Sequence, residues 1–229
     1  MKFLDLLKEK IVVFDGAMGS NLQAQELTIE DWGGQNFENC SENLLYTKPE
    51  AIETVHLGFL DAGVDVIETN SFGGSEVVLA EFGIVEKTYD VNLKAAQLAK
   101  RLANDYSTKN HPRFIAGSMG PGTKLPTLGH ISYQNLKHAY DEQVRGLYDG
   151  GVDMFIVETC QDLLQIKAAL ASIFDFFAKR KVRIPVITQV TIETFGTMLN
   201  GTEISGIRTL RLAKKSKIEA RAALIWSKS

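Results

Sequence analysis

Three acidic residues close three short apolar runs: Asp15 follows Ile11-Val-Val-Phe14, Glu68 follows Val64-Asp-Val-Ile67, and Glu158 follows Met154-Phe-Ile-Val157. Two further runs, Phe114 to Ala116 and Pro185 to Val190, lead into Gly117-Ser-Met-Gly-Pro-Gly122 and carry the amide Gln189. Continuous apolar runs of this length suit strands buried on both faces of a parallel sheet. In such sheets sites form at the carboxyl ends of the strands. Three carboxylates, two glycine-rich turns (Asp15-Gly-Ala-Met-Gly-Ser20 is the other) and an amide therefore converge on one rim. Carboxylates crowded together without a counter-charge resist ionisation, and a cationic ligand relieves them. Glycine lets backbone N–H groups approach an anion closely. The rim thus offers a place for a cation beside a place for an anion.

Plainer roles exist for each feature taken alone. Asp15 and Glu158 can cap helices or pair with lysine, and Gly16, Gly19, Gly117 and Gly120 can simply make turns. Cys160 suits a small buried hydrophobe, and Phe174, Phe176 and Phe177 suit a core. Neither glycine loop follows G-x-G-x-x-G with an acid about 20 residues on, so a dinucleotide site is unsupported.

The elements that must position these residues are legible from a repeat. Gly58-Phe-Leu-Asp-Ala-Gly63-Val-Asp-Val-Ile-Glu-Thr-Asn70 resembles Gly146-Leu-Tyr-Asp-Gly-Gly151-Val-Asp-Met-Phe-Ile-Val-Glu-Thr-Cys160. In each, a helix ends on glycine, a turn carries aspartate, and a strand closes on Glu-Thr. The first helix opens with the capping-box pattern Thr47-Lys-Pro-Glu50 and carries Ile52, Val55, Phe59 and Leu60 at helical spacing. The second starts near Ser132 and carries Leu136, Ala139, Tyr140, Val144 and Leu147. Further helices are expected over 90–104 and 162–178, the latter opening with Asp162-x-x-Gln165. A long connection from Gly19 to Tyr46, containing Trp32-Gly33-Gly34, is either a lid or an ordered insert. Five strands alternating with helices imply a parallel sheet, either doubly wound or part of a (β/α)8 barrel.

The composition, 45% hydrophobic and 23% charged over 229 residues, is that of a globular protein and excludes disorder, collagen and coiled coil. No window approaches the roughly 18 apolar residues of a membrane span. The start, Met1-Lys-Phe-Leu-Asp-Leu-Leu-Lys-Glu-Lys10, lacks a secretory pattern, so a cytoplasmic location away from membranes is expected. Two cysteines, Cys40 and Cys160, make no disulfide framework. His56, His111, His130 and His138 show no metal-ligand spacing. The net charge of -3 conceals an asymmetry: from Gly206 onward seven basic residues face one acid, Glu219. The segment interleaves Leu210, Leu212, Ile218, Leu224, Ile225 and Trp226 without a clean period, and its amphipathicity allows part of it to form a helix.

Five strings in order, Phe14-Asp-Gly-Ala-Met-Gly-Ser20, Ile67-Glu-Thr-Asn-Ser-Phe-Gly73, Ala116-Gly-Ser-Met-Gly-Pro-Gly122, Tyr140 to Asp153 and Val157-Glu-Thr159, resemble the homocysteine S-methyltransferases. The likeness is closest to the N-terminal homocysteine-binding module of the cobalamin-dependent methionine synthases, and it runs from about Ile11 to Ile204. It implies a (β/α)8 barrel, of which about the first five βα units are present, and methyl transfer to the thiol of homocysteine to form methionine. By the same resemblance, Asp15 and Glu158 hold the substrate amine, and the turn of Gly16, Ala17, Met18, Gly19 and Ser20 receives its carboxylate. Glu68, Thr69 and Asn70 form further pocket wall. The family activates the thiol with zinc, held by one cysteine at the sixth strand and an adjacent pair in Gly-Gly-Cys-Cys-Gly at the eighth. This chain matches none of the three, so no metal ligand and no catalytic residue is assigned, and the chain is expected to be inactive alone. Cobalamin and methylfolate are implied only through other modules of a larger enzyme, and no nucleic-acid partner is expected.

Residues 1–206 are read as the homocysteine-binding barrel portion and 207–229 as a divergent basic tail, from a truncation or frameshift or as a functional arm. Two other readings stay open on the residues alone. One is a noncatalytic amino-acid-binding or partner-binding module. The other is a barrel lyase or isomerase with Glu158 as base, which the lack of a lysine at any strand end disfavours.

Overall fold

The computed structural model describes residues 2–193, 197–198 and, for the backbone alone, 220–226. The chain opens on α1 (Phe3–Glu9) and continues through an insert of α2 (Met18–Gln23), α3 (Ile29–Trp32) and α4 (Leu44–Thr47). There follow α5 (Pro49–Asp61), β1 (Val66–Glu68), α6 (Glu76–Leu79), α7 (Thr88–Tyr106) and β2 (Phe114–Met119). The remainder is α8 (Tyr133–Ala139), α9 (Asp141–Asp149), β3 (Met154–Cys160), α10 (Leu163–Arg180), β4 (Val186–Ile192) and β5 (Ala220–Trp226). The strands form one sheet in the order β1-β2-β3-β4-β5, the first four parallel. Strictly sequential parallel strands joined by helices are the wall of a (β/α) barrel.

Successive strand residues face opposite sides of the sheet, and the core divides accordingly. On the inner face Val66, Phe114, Ala116, Met154, Ile156 and Ile187 pack with Phe3 and Leu6 of α1. The Phe3 ring meets Phe114 edge-on at 5.7 Å, so α1 closes the amino-terminal end of this layer. On the outer face Ile67, Ile115, Phe155, Val157 and Val186 pack under the helices with Ala96, Leu147, Ile173 and Phe177. Each fully buried side chain of this size contributes roughly 1.5 to 3 kcal/mol by leaving water.

The repeat has a physical cause. Gly63 and Gly151 end their helices at φ +95° and +93°, where a Cβ is strained. The aspartate two residues on then caps the neighbouring strand: Asp65 Oδ2 accepts from Val13 N, and Asp153 Oδ2 from Ile115 N, both at 2.9 Å. Each aspartate also pairs with a lysine, Lys10 at 2.6 Å and Lys100 at 3.0 Å. Burial alone would raise the Asp65 carboxyl, but the bonds from Lys10, Val13 N and His111 outweigh it and hold it below the usual range.

Several expectations are corrected. The first strand, Ile11 to Phe14, is reduced to a parallel bridge between Phe14 and Val66, and its Ile11 and Val13 side chains stay exposed instead of joining a core that would hold a longer strand. Thr47 does not cap α5; its hydroxyl donates to Asn43 O, and the helix opens on Pro49 instead. The capping box lies at Thr28 and Asp31 of α3. Ser132 caps its helix through Asn135 N, but that helix breaks at Tyr140 into α8 and α9. Asp162 caps α10, while Gln165 turns away to donate to Pro121 O and Lys124 O at 3.0 Å. Ala220–Trp226 forms an antiparallel strand, not a helix, pairing with all seven residues of β4. The open edge of β4 offers a row of backbone partners to an extended segment. Residues 207–219 lie outside the described residues. No described helix is long and apolar enough to cross a membrane.

The connection from Gly19 to Tyr46 is an ordered insert with its own core: Leu22, Trp32, Cys40 and Leu44 pack on Ile52 and Val55 of α5. On that helix lies His56, fully buried, with neither ring nitrogen hydrogen-bonded among the described residues, and burial lowers its pKa from 6.5 to about 4. Below pH 6.5 the unfolded chain takes up a proton that the folded ring refuses, so stability falls as pH drops toward 4. His56→Leu is therefore expected to raise stability by about 1 kcal/mol at pH 7.5 and by up to about 4 kcal/mol near pH 4. Urea midpoints at the two pH values check this. An unchanged or lowered midpoint in the variant would mean the ring has partners that offset its burial.

Candidate functional site

The inner-face alternation that places Val66, Ala116, Ile156 and Ile187 in the core brings polar residues to the same face two positions later. Glu68, Ser118, Glu158 and Gln189 form the next layer toward the carboxyl ends, and above it opens a cavity of about 590 Å³. Its wall also includes Asp15, Gly16, Ala17, Met18 and Gly19 from the first turn, Thr69 and Asn70 from the loop after β1, and Thr159. Of the residues assigned to the site from the sequence, only Ser20 is not among those lining it.

Asp15 and Glu158 define the electrostatics. The Asp15 carboxylate accepts from Glu68 N through both oxygens, at 3.0 and 3.1 Å. Burial nevertheless pushes its pKa from 3.8 up to about 7, opposed by that backbone bond and assisted by the charge of Glu158. Glu158 is itself buried and accepts from Ser118 Oγ at 2.5 Å. The pair thus forms a partly desolvated acidic corner across two elements far apart in sequence.

A β-bulge shapes the wall beside Glu158. Val157 pairs with Thr188 and Cys160 with Val190, so β3 has one residue more than β4 over this span. The extra residue resets the alternation. Thr159, at φ +55°, joins Glu158 in facing the cavity, and Cys160 returns to the outer core beneath the helices. A β-branched residue at positive φ is strained, so the surrounding packing must hold it there. Cys160 is buried, its thiol pushed up to about 12 by burial and by Glu158.

The loop after β1 is fixed from both sides. Thr69 Oγ1 accepts from Ser118 N at 3.0 Å, and Ser71 Oγ donates to Ser118 O at 2.8 Å. Gln143 Nε2 donates to Ser71 O at 2.8 Å. Toward the insert, Asn70 Nδ2 donates to Ser41 O at 2.8 Å, and the buried Glu42 accepts from Gly73 N at 2.7 Å. Gly120 is required by close approach: a Cβ there would lie 2.6 Å from Phe72 O. Gly117 is a packing position, since its Cβ would meet Leu147 at 3.1 Å. A Cβ on Gly16 would lie 3.3 Å from the Phe59 ring, whereas one on Gly19 would point into open space.

Ser41, Phe72, Ser118, Thr159 and Ile187 line the cavity although sequence reasoning does not assign them to the site. Ser118 is accessible from strand alternation alone. Ser41 carries no signal, because only the fold of the insert brings it to the rim. Among the described residues no group of three or more His, Cys, Asp or Glu is arranged to hold a metal ion.

A family model described as homocysteine S-methyltransferase matches residues 12–222, a range that includes most of the segment read as the basic tail. The chain is 44% identical over 206 residues to the methionine synthase of Mycobacterium tuberculosis (strain ATCC 25618 / H37Rv), covering 90% of this chain and 17% of that protein. It is 45% identical over 201 residues to the methionine synthase of Mycobacterium leprae (strain TN), covering 88% and 16%. The chain thus spans about one sixth of the length of these curated relatives. The fold is similar to that of the homocysteine methyltransferase MmuM from Escherichia coli in its metallated form, with a TM-score of 0.72 at 24% identity. That match covers 87% of this chain and 69% of the MmuM chain.

Proposed function

The chain belongs to the homocysteine S-methyltransferase family, and we propose that its cavity holds homocysteine by the amino-acid end, within an enzyme of the methionine synthase type that methylates the thiol to give methionine. The observation that carries this reading is the acidic corner: Asp15, raised to about 7 by burial and by Glu158, is an acid awaiting a cation. An ammonium placed between Asp15 and Glu158 would relieve their repulsion and replace lost hydration with charge-assisted hydrogen bonds. The turn of Gly16, Ala17, Met18 and Gly19 then receives the carboxylate through its backbone, and Glu68, Thr69 and Asn70 bound the side chain. Homocysteine held this way directs its sulfur away from the acids, which would otherwise disfavour a thiolate.

Thiolate formation is the chemistry that zinc supplies in this family, by placing positive charge on the sulfur. The cysteines of this chain do not fit that task. Cys40 is buried in the insert core with its thiol pushed up to about 11 by burial and by Glu42, and Cys160 lies in the outer core. Neither lines the cavity. The cavity residues bind and orient the acceptor amino acid, and the methyl donor, whether bound to cobalamin or folate, enters through other parts of a larger enzyme.

Binding should be linked to protons. Bound ammonium favours ionised Asp15 and lowers its pKa from about 7, so at about pH 6.5 homocysteine binding is expected to release a substantial fraction of a proton, falling toward zero near pH 8. Calorimetry in buffers of different ionisation enthalpy measures this directly. A proton count that is zero at both pH values, or an uptake at the lower one, would contradict a cationic ligand group at Asp15.

A further inference from the structure

We propose that Ser118 is a positioning residue for the amino-acid ligand: its hydroxyl fixes the Glu158 carboxylate in the orientation that meets the ligand ammonium, while its main chain fixes the loop after β1. The inference rests on the amino-acid reading of the cavity and adds to it a residue that acts through Glu158. Ser118 lies on β2, between β1 and β3 in the sheet, two positions beyond Ala116 of the inner face. It is 2% exposed, in a strand otherwise made of Phe114, Ile115, Ala116, Gly117 and Met119. A hydroxyl buried there costs stability unless it is bonded. Its single proton goes to Glu158 Oε1 at 2.5 Å, a length in the range of a hydroxyl donating to an ionised carboxylate.

The other two polar groups of Ser118 serve the opposite neighbour in the sheet. Its N donates to Thr69 Oγ1 at 3.0 Å, and its O accepts from Ser71 Oγ at 2.8 Å. One residue of β2 therefore joins Thr69 and Glu158, two parts of the cavity wall contributed by different strands. The main-chain bonds survive any substitution that keeps the backbone, so the side chain has a separable task. Donation to a carboxylate favours its ionised form. In a corner where burial and the charge of Glu158 already resist ionisation of Asp15, the hydroxyl keeps Glu158 the charged member that a cation meets. The terminal torsion of a glutamate is broad, and a bond to one of its oxygens narrows it. The ammonium then finds an acceptor already oriented, which lowers the cost of ordering it on binding.

The test uses the 229-residue chain and its Ser118→Ala variant, which loses the hydroxyl and keeps both main-chain bonds. The ionisable groups around Glu158 are Asp15 and Glu68 in the cavity wall, with Cys160 and Asp162 just beyond it in the chain. Without the hydroxyl, Glu158 holds a proton more readily, and a bound ammonium must expel it. Calorimetry at pH 6.5 in buffers of different ionisation enthalpy is expected to show the homocysteine dissociation constant raised about tenfold and more protons released per ligand than in the unaltered chain. A merely structural role would weaken binding without changing the proton count. In parallel, a crystal structure of the unaltered chain with homocysteine, which does not depend on the variant folding, is expected to keep Ser118 Oγ within about 2.5 to 2.7 Å of Glu158 while the amino nitrogen bonds the same carboxylate. Unchanged affinity in the variant, a proton count that is unchanged or smaller, or a Ser118 hydroxyl turned away from Glu158 would overturn the role of Ser118 while leaving the cavity reading intact. Failure of the unaltered chain to bind homocysteine would overturn both.

Discussion

At pH 8 the Asp15→Asn chain is expected to be more stable than the unaltered chain by about 2 kcal/mol, and to bind homocysteine roughly tenfold to a hundredfold more weakly. Both effects have one cause. Asp15 is raised from 3.8 to about 7, so above neutral pH its ionised form is held in a site that disfavours it. Its folded pKa exceeds the unfolded value, so the stability it contributes is present below about pH 4 and is lost as pH rises through 7. The full shift corresponds to about 4 kcal/mol, and about half of it is expected because asparagine has a single acceptor oxygen where the carboxylate receives Glu68 N with two. The gain should vanish near pH 4, where both side chains are neutral. Removing the charge also removes the strongest partner of a ligand ammonium, so affinity falls as stability rises. Urea unfolding at pH 8 and pH 4, with calorimetry of homocysteine binding, tests the pair. A variant less stable at pH 8 would show that Asp15 is a structural acid, and unchanged affinity would remove it from the binding site.

The second large effect concerns metal and turnover. The purified 229-residue chain is expected to carry well under stoichiometric zinc and to show no appreciable methyl transfer to homocysteine. Two buried thiols with pKa values raised to about 11 and 12 are poor thiolate donors, and neither faces the cavity. Without a positive charge at sulfur, a thiol of ordinary pKa stays mostly protonated at neutral pH, and holding its amino-acid end cannot change that. Elemental analysis beside a methyl-transfer assay measures both quantities. Near-stoichiometric zinc accompanied by turnover would show that ligands other than the family's thiolates operate in this chain.

The acidic corner is legible in the sequence because parallel strands are buried on both faces: an apolar run that ends abruptly on an acid leaves that acid at the strand end and nowhere else. Alternation then puts Glu68 and Glu158 on the same face as Val66 and Ile156. The same rule fails at Thr159, since a bulge adds a residue without altering composition and shifts every later side chain to the other face. Cys160 illustrates the consequence: simple alternation from Glu158 gives it the inner face, and the bulge gives it the outer core.

Capping is readable where a polar residue immediately precedes the first helical turn. Ser132 and Asp162 cap α8 and α10. Thr47 ends α4, so Lys48 takes the cap position of α5, and Pro49 at the first position of that helix leaves one fewer N–H to cap. The insert is the least legible segment, because its hydrophobic residues pack on α5 through contacts between Leu22, Trp32 and Ile52 that no local period announces. The strand Ala220–Trp226 escapes a reading by periodicity for a related reason: its conformation is set by the exposed edge of β4 and not by its own spacing.

The claim that joins these observations is that Asp15 and Glu158 receive the amine of homocysteine. A crystal structure of the 229-residue chain with homocysteine bound tests it most directly. The predicted result places the amino nitrogen within hydrogen-bond distance, about 2.7 to 3.2 Å, of both carboxylates, with the substrate carboxylate against the backbone of residues 16–19 and the sulfur at the open side of the cavity. Homocysteine bound with its sulfur or its carboxylate against Asp15 and Glu158, or bound outside this cavity altogether, would contradict the account.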